Sequence, residues 1–218
     1  MLVRRSLRIS VLTLLAVALA AARSAGAQSS HLLHLVLAPE GNEARYRVRE
    51  QLATLDFPSD AVGKTTALKG QIVLGPDGKF TDSSKIVIDL SELATDSKTR
   101  DTYVRRHTLE TETLPTMQFM PQSAIGLPAK LPVDGDLEFV LTGIMHLHGV
   151  TKPWTWQVKA HMLATGEITG TATTSFHFAE FNIAQPSVAH VLSVVDNITL
   201  EYDFHFVPAQ ANIAAEGK

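Results

Sequence analysis

The chain has 218 residues, a formal net charge of −3 and no cysteine. The missing cysteines exclude disulfides, thiolate metal sites, a cysteine nucleophile and a lipid-modified cysteine anchor. The mildly acidic balance argues against nucleic acid and anionic membrane surfaces as partners.

Arg4, Arg5 and Arg8 precede an apolar run from Ile9 to Ala22, and Ala25-Gly26-Ala27 offers small residues at a peptidase site. Residues 1–27 therefore read as a secretory signal cleaved near Ala27, because an apolar run of 14 residues falls short of the roughly 20 that span a bilayer. Its removal takes away four arginines and no acid, moving the net charge from −3 to −7. The roughly 190 residues beyond it can bury a core large enough for one domain without staples. A domain over 28–207 and a flexible tail over 208–218 are expected, and an integral membrane protein is not.

Short apolar alternations broken by Gly, Pro and Asp follow, the pattern of an antiparallel β sandwich or barrel. Lys69–Leu74 leads into Gly75-Pro76-Asp77-Gly78, which predicts a tight turn and a hairpin returning from Lys79. Ile86, Ile88 and Leu90 alternate with Val87 and Asp89 on the next strand. The segment from Asp96 to Glu112 is the one helix expected, with Asp96 as its N-cap and few apolar anchors, lying across one end of the sheet. Within it, Arg100 and Asp101 read as a pair that pins the helix to a barrel rim or meets a ligand headgroup. Three prolines and a glycine make Pro121 to Pro132 a long connection.

The later strands are the clearest. Leu137, Phe139, Leu141, Met145 and Leu147 share one face, and Glu138, Thr142, His146 and His148 the other. A turn over Gly149–Pro153 then leads to Trp154, Trp156, Val158 and Met162 on the apolar side, where both tryptophans can meet Met145 and Leu147. The closing strand places Ile198, Leu200, Tyr202, Phe204 and Phe206 on one face against Thr199, Glu201, Asp203 and His205.

Flat rings and flexible thioethers adapt to an alkyl or isoprenoid chain, so Phe119, Phe139, Met145, Trp154, Trp156, Phe176, Phe178, Tyr202 and Phe204 are the candidate ligand-binding residues, unless they simply fill a solid core. Asp96, Arg100 and Asp101 are the candidate polar residues of a barrel mouth. His146, His148 and His161 invite a metal, yet all three fall on the predicted outward face, so no metal site is expected. No Gly-x-Ser-x-Gly elbow, phosphate loop or dinucleotide fingerprint is present, and neither a catalytic residue nor a cofactor is expected.

The stretch from Asp89 to Phe119 resembles the signature segment of the YceI-like family: an acidic strand end, Thr95-Asp96, Arg100-Asp101, a short helix, and Leu114-Pro115 before Met117 and Phe119. Gly149-Val150-Thr151-Lys152-Pro153 is a second match, and the likeness spans roughly Tyr46 to Phe206. It implies an all-β fold, an eight-stranded antiparallel lipocalin-like β-barrel with one short helical segment near the mouth. It also implies a periplasmic, non-enzymatic protein holding an isoprenoid, an isoprenoid quinone or another amphiphile. The chain departs from the family at Tyr46–Gln51, where no His-Ser follows, and at Ala179–Ile183. Rival readings are a solid-core, stress-related interaction protein using the outer face around His146, His148 and His161, and, more weakly, an enzyme near Arg100 and Asp101. The expected partner is a hydrophobic small molecule, with a homodimer left open.

Overall fold

The computed structural model describes residues 33–75, 77–128 and 130–209. The expected signal and all but two residues of the expected tail lie outside the described residues. Ten strands run in chain order: β1 (Leu33–Leu37), β2 (Glu43–Leu52), β3 (Ser59–Thr65), β4 (Leu68–Leu74), β5 (Lys85–Asp89), β6 (Thr116–Ile125), β7 (Gly135–Leu147), β8 (Val150–Met162), β9 (Ile168–Phe176) and β10 (Val191–Pro208). A helix α1 (Lys98–Tyr103) follows β5. All pairings are antiparallel, and β1 closes the sheet by pairing with both β4 and β10.

The ten strands occupy eight barrel positions. Along one edge of β10, β1 pairs at Phe206–Pro208 and β2 continues the same line at Val191–Asp203. Likewise β3 pairs with β2 and β4 with β1, interrupted only at Thr66 and Ala67. Two long strands are thus each broken once, and the expected eight-stranded antiparallel barrel closes. Closure runs through β1, while β3 pairs with β2 alone and has one isolated bridge, Lys64 to Ala94, on its other edge.

Period-two alternation decides what faces inward. On β10, Ile198, Tyr202, Phe204 and Phe206 are buried, while Arg45 on the outer face of β2 bonds Glu201 and Asp203. The last strand nevertheless begins at Val191, well before Ile198. Register shifts between Val191 and Ser193 and between Val194 and Ile198 bend that first part and blur the alternation from which its start would be read. It also runs to Pro208, one residue beyond the expected domain boundary, and Ala209 N donates to His34 O.

Four other expectations are corrected. The helix is shorter than Asp96–Glu112: Ser97, not Asp96, caps it, α1 ends at Tyr103, and a wider π-helical turn over Val104–Thr108 follows. So few apolar anchors cannot hold a long helix against a curved wall. Pro121 lies inside β6, which runs on to Ile125 through a register shift between Pro121 and Ser123; a bulge accommodates a proline that has no N–H to give. The β7–β8 turn is His148-Gly149 rather than Gly149–Pro153. Positive φ at both residues, 48° and 76°, forms the tight connection that twisted hairpins favour. Pro153 sits within β8 beyond the reach of β9, whose pairing starts at Gln157.

The turn at Gly75–Gly78 closes as expected, with Gly75 N bonded to Lys79 O, but no strand returns from Lys79. Phe80 makes one bridge to Leu74, and β5 is the strand that pairs with β4. Ser84 fills the gap: its Oγ accepts from Val73 N at 2.9 Å and donates to Val73 O at 3.0 Å.

Candidate functional site

Two cavities open inside the barrel. The narrow one, about 130 Å³, is lined by apolar atoms alone, from residues on β1, β4 to β10 and the β6–β7 connection. Phe119, Phe139, Trp156, Tyr202 and Phe204 all lie on its wall, joined by Leu127, Leu131 and Ala172. The wide one, about 380 Å³, is of the size that ligand pockets occupy and has a mixed wall. Phe176 and Phe178 line it together with Tyr46, Val48 and Glu50 of β2, Arg100 and Tyr103 of α1, Thr108, and Val188, His190, Val191 and Val194 ahead of and within β10. Met117 lines both cavities, so a flexible thioether stands at the wall they share.

Seven of the nine candidate apolar residues thus line one cavity or the other. Met145 and Trp154 line neither. Met145 is fully buried, and the true turn position sets it opposite Lys152, while Trp154 faces Gly143 and Trp156 faces Leu141. The tryptophans share a face with Met145 and Leu147 but lie opposite neither. Trp154 packs edge-on against Phe176 and Phe181, donates from Nε1 to Thr174 Oγ1 at 2.9 Å, and lies 4.9 Å below the Lys152 ammonium. These contacts make it a structural brace.

The polar residues divide as well. Arg100 faces the wide cavity, and its Nη2 donates to Glu50 Oε1 at 2.8 Å while Nη1 bonds Asp96. Burial alone would lower the pKa of Arg100, but the hydrogen bond to Asp96 and the attraction of Glu50 outweigh it and raise that pKa. Of the two aspartates grouped with it, Asp96 meets Arg100 and Asp101 does not. Asp101 turns away and accepts from Thr95 N at 2.8 Å and Thr95 Oγ1 at 2.7 Å, tying the start of the helix to the segment before it. Neighbours one residue apart on a helix point about 100° apart, so they do not face each other. Asp96 is largely exposed and touches the site only through Arg100.

Glu50 and Tyr46 are functional candidates that sequence reasoning missed. Glu50 is the one charged residue in the inward series Ala44, Tyr46, Val48, Glu50, Leu52, and that parity was the available signal. The Tyr46 hydroxyl is buried without a hydrogen-bond partner among the described residues, and burial pushes its pKa up to about 12. Its ring covers Gly63 so closely that a Cβ there would fall 2.2 Å from Tyr46 Cε1. The Thr108 hydroxyl is buried and unpartnered too.

The three histidines expected on the outer face do not converge. His146 bonds Thr151 at one end of the β7–β8 hairpin, and His161 bonds Asp136 at 2.8 Å at the other. His148 is not outward at all: its turn conformation folds the ring inward, where Nδ1 donates to Phe181 O at 3.1 Å. Among the described residues no three metal-ligating side chains come together, and no helix is long and apolar enough to cross a membrane.

Known proteins align with this geometry. The family model described as a YceI-like domain matches residues 36–206. A search of curated proteins found no match. Among solved structures, a polyisoprenoid-binding domain from Saccharophagus degradans superposes with a TM-score of 0.61 at 14% identity, covering 82% of this chain and 100% of that one. BcnA of Burkholderia cenocepacia gives 0.55 at 14% identity, covering 75% and 95%. A YceI protein of Campylobacter jejuni gives 0.53 at 18% identity, covering 71% and 88%. At such identities the structures speak for a common barrel.

Proposed function

The chain belongs to the YceI-like family, and from that premise we propose that it is a non-enzymatic binding protein that shelters an isoprenoid, an isoprenoid quinone or a similar lipid inside its barrel. The observation that carries this reading is a smaller, wholly apolar cavity beside a larger, partly polar one, with the flexible Met117 side chain on the wall of both. A bore of that shape suits a chain, and the wide chamber suits a bulkier end. Each CH₂ removed from water contributes about 0.8 kcal/mol, so burial alone can hold such a ligand. The polyisoprenoid-binding relative from Saccharophagus degradans supports the choice of ligand class.

Within this proposal the seven cavity-lining aromatics hold the ligand, and the N-terminal segment directs export, with cleavage near Ala27 and a periplasmic destination. Arg100 and Asp101 act structurally. Arg100 is engaged by two carboxylates and Asp101 by both donors of Thr95, which leaves neither free as an acid or base. The cavities weigh against a solid-core interaction protein.

Delipidated protein titrated with geranylgeraniol or a ubiquinone tests the reading, with Trp156 fluorescence observed in a Trp154→Phe background. Saturable one-to-one uptake is expected. Failure to take up any isoprenoid, quinone or fatty acyl compound overturns it.

A further inference from the structure

The wide cavity has a charge balance that discriminates among headgroups. Arg100 contributes the one guanidinium on its wall, where His190 is the other basic residue, and two carboxylates already hold that guanidinium, Glu50 from inside and the largely exposed Asp96 from outside. Glu50 is buried, with 8% of its side chain exposed, and Arg100 is its ion-pair partner there. A phosphate or carboxylate entering the chamber would bring a third negative charge to a single guanidinium. Bound beside Glu50 on Arg100 it would meet the repulsion of that carboxylate, and displacing Glu50 would leave a buried carboxylate uncompensated.

Tyr46 and Thr108 line the same wall, but their hydroxyls are buried away from the cavity surface, so neither is open to an entering headgroup. On the reading that the barrel carries a lipid, we infer that the wide cavity favours a neutral headgroup such as an alcohol and discriminates against phosphate, diphosphate and carboxylate. Glu50 is the specificity-determining residue: its charge holds Arg100 away from an anionic ligand.

Calorimetric titration of the delipidated protein with farnesol, farnesylamine, farnesyl phosphate and farnesoate tests this on one common tail. Farnesol should bind at least about tenfold more tightly than either anion. Farnesylamine, which also carries a charge out of water but finds Glu50, should lie above both anions. In Glu50→Gln the gap between farnesol and farnesyl phosphate should narrow severalfold, because Arg100 is then free to meet the anion. Farnesyl phosphate binding as well as farnesol, an amine ranked below the anions, or a gap unchanged in Glu50→Gln would overturn the inference while leaving the carrier reading intact. No binding by any of the four would fail both. Should Glu50→Gln not fold, the wild-type ranking of amine against anions still decides.

Discussion

Arg100 reaches from α1 to Glu50 on the inner face of β2, fifty residues away in sequence, and closes a 2.8 Å bond in a place where little of Glu50 meets water. This contact fastens the short helix to the barrel wall and sets the polarity of the wide chamber at once. Its energetic signature follows from which partner is removed.

Arg100→Met leaves Glu50 buried and uncompensated, and should cost about 3–5 kcal/mol in urea unfolding. Combining it with Glu50→Leu should recover much of that loss, because a buried pair replaced by apolar groups is often neutral. A single Arg100→Met within about 1 kcal/mol of wild type would show that the pair is not buried as described, since only exposed ion pairs are worth so little.

Asp101 acts on the backbone, so its loss should read differently. Asp101→Ala strands the Thr95 N–H and should destabilise the fold by about 1–3 kcal/mol, with faster hydrogen exchange at Thr95. Because Asp101 lines neither cavity, the stoichiometry of ligand uptake should hold in the folded variant. Lost uptake with unchanged stability would contradict this division of labour.

Ala172 faces the narrow cavity between β8 and β10 and leaves room where a larger residue would fill it. Ala172→Trp should block the bore at an overpacking cost of about 1–3 kcal/mol. Calorimetry across prenyl alcohols should then show the gain in affinity with chain length levelling off in the variant while it continues in wild type. Parallel curves would place the tail elsewhere.

His161 reports on the outer face. The hydrogen bond to Asp136 raises its pKa above the ordinary histidine value, despite an exposed ring. A raised folded-state pKa means that the contribution to stability is complete below the unfolded value and is lost as pH rises through the folded one. An NMR titration should show the His161 midpoint falling in Asp136→Asn, and an unmoved midpoint would remove Asp136 as the cause.

Much of the barrel was legible because its strongest strands alternate strictly: β7, β8 and the latter part of β10 announce their inner faces residue by residue. Where that code is broken, reading failed for definable reasons. Pro121 suggested a loop because a bulge in β6 leaves no trace in composition. Period two, carried one residue into a turn with positive φ, puts His148 on the wrong side. The aromatics of the site were visible as a stripe, but parity cannot say whether a ring borders space, as Trp156 does, or braces its neighbours, as Trp154 does. The Glu50–Arg100 contact joins residues distant in sequence, and no local motif marks it.

Native mass spectrometry of the protein purified from its own cells under non-denaturing conditions tests the central claim most directly. The account predicts a one-to-one complex with an isoprenoid, quinone or similar lipid, released on delipidation and restored by adding that compound back. A wild-type protein that arrives empty and takes up none of these lipids would contradict it.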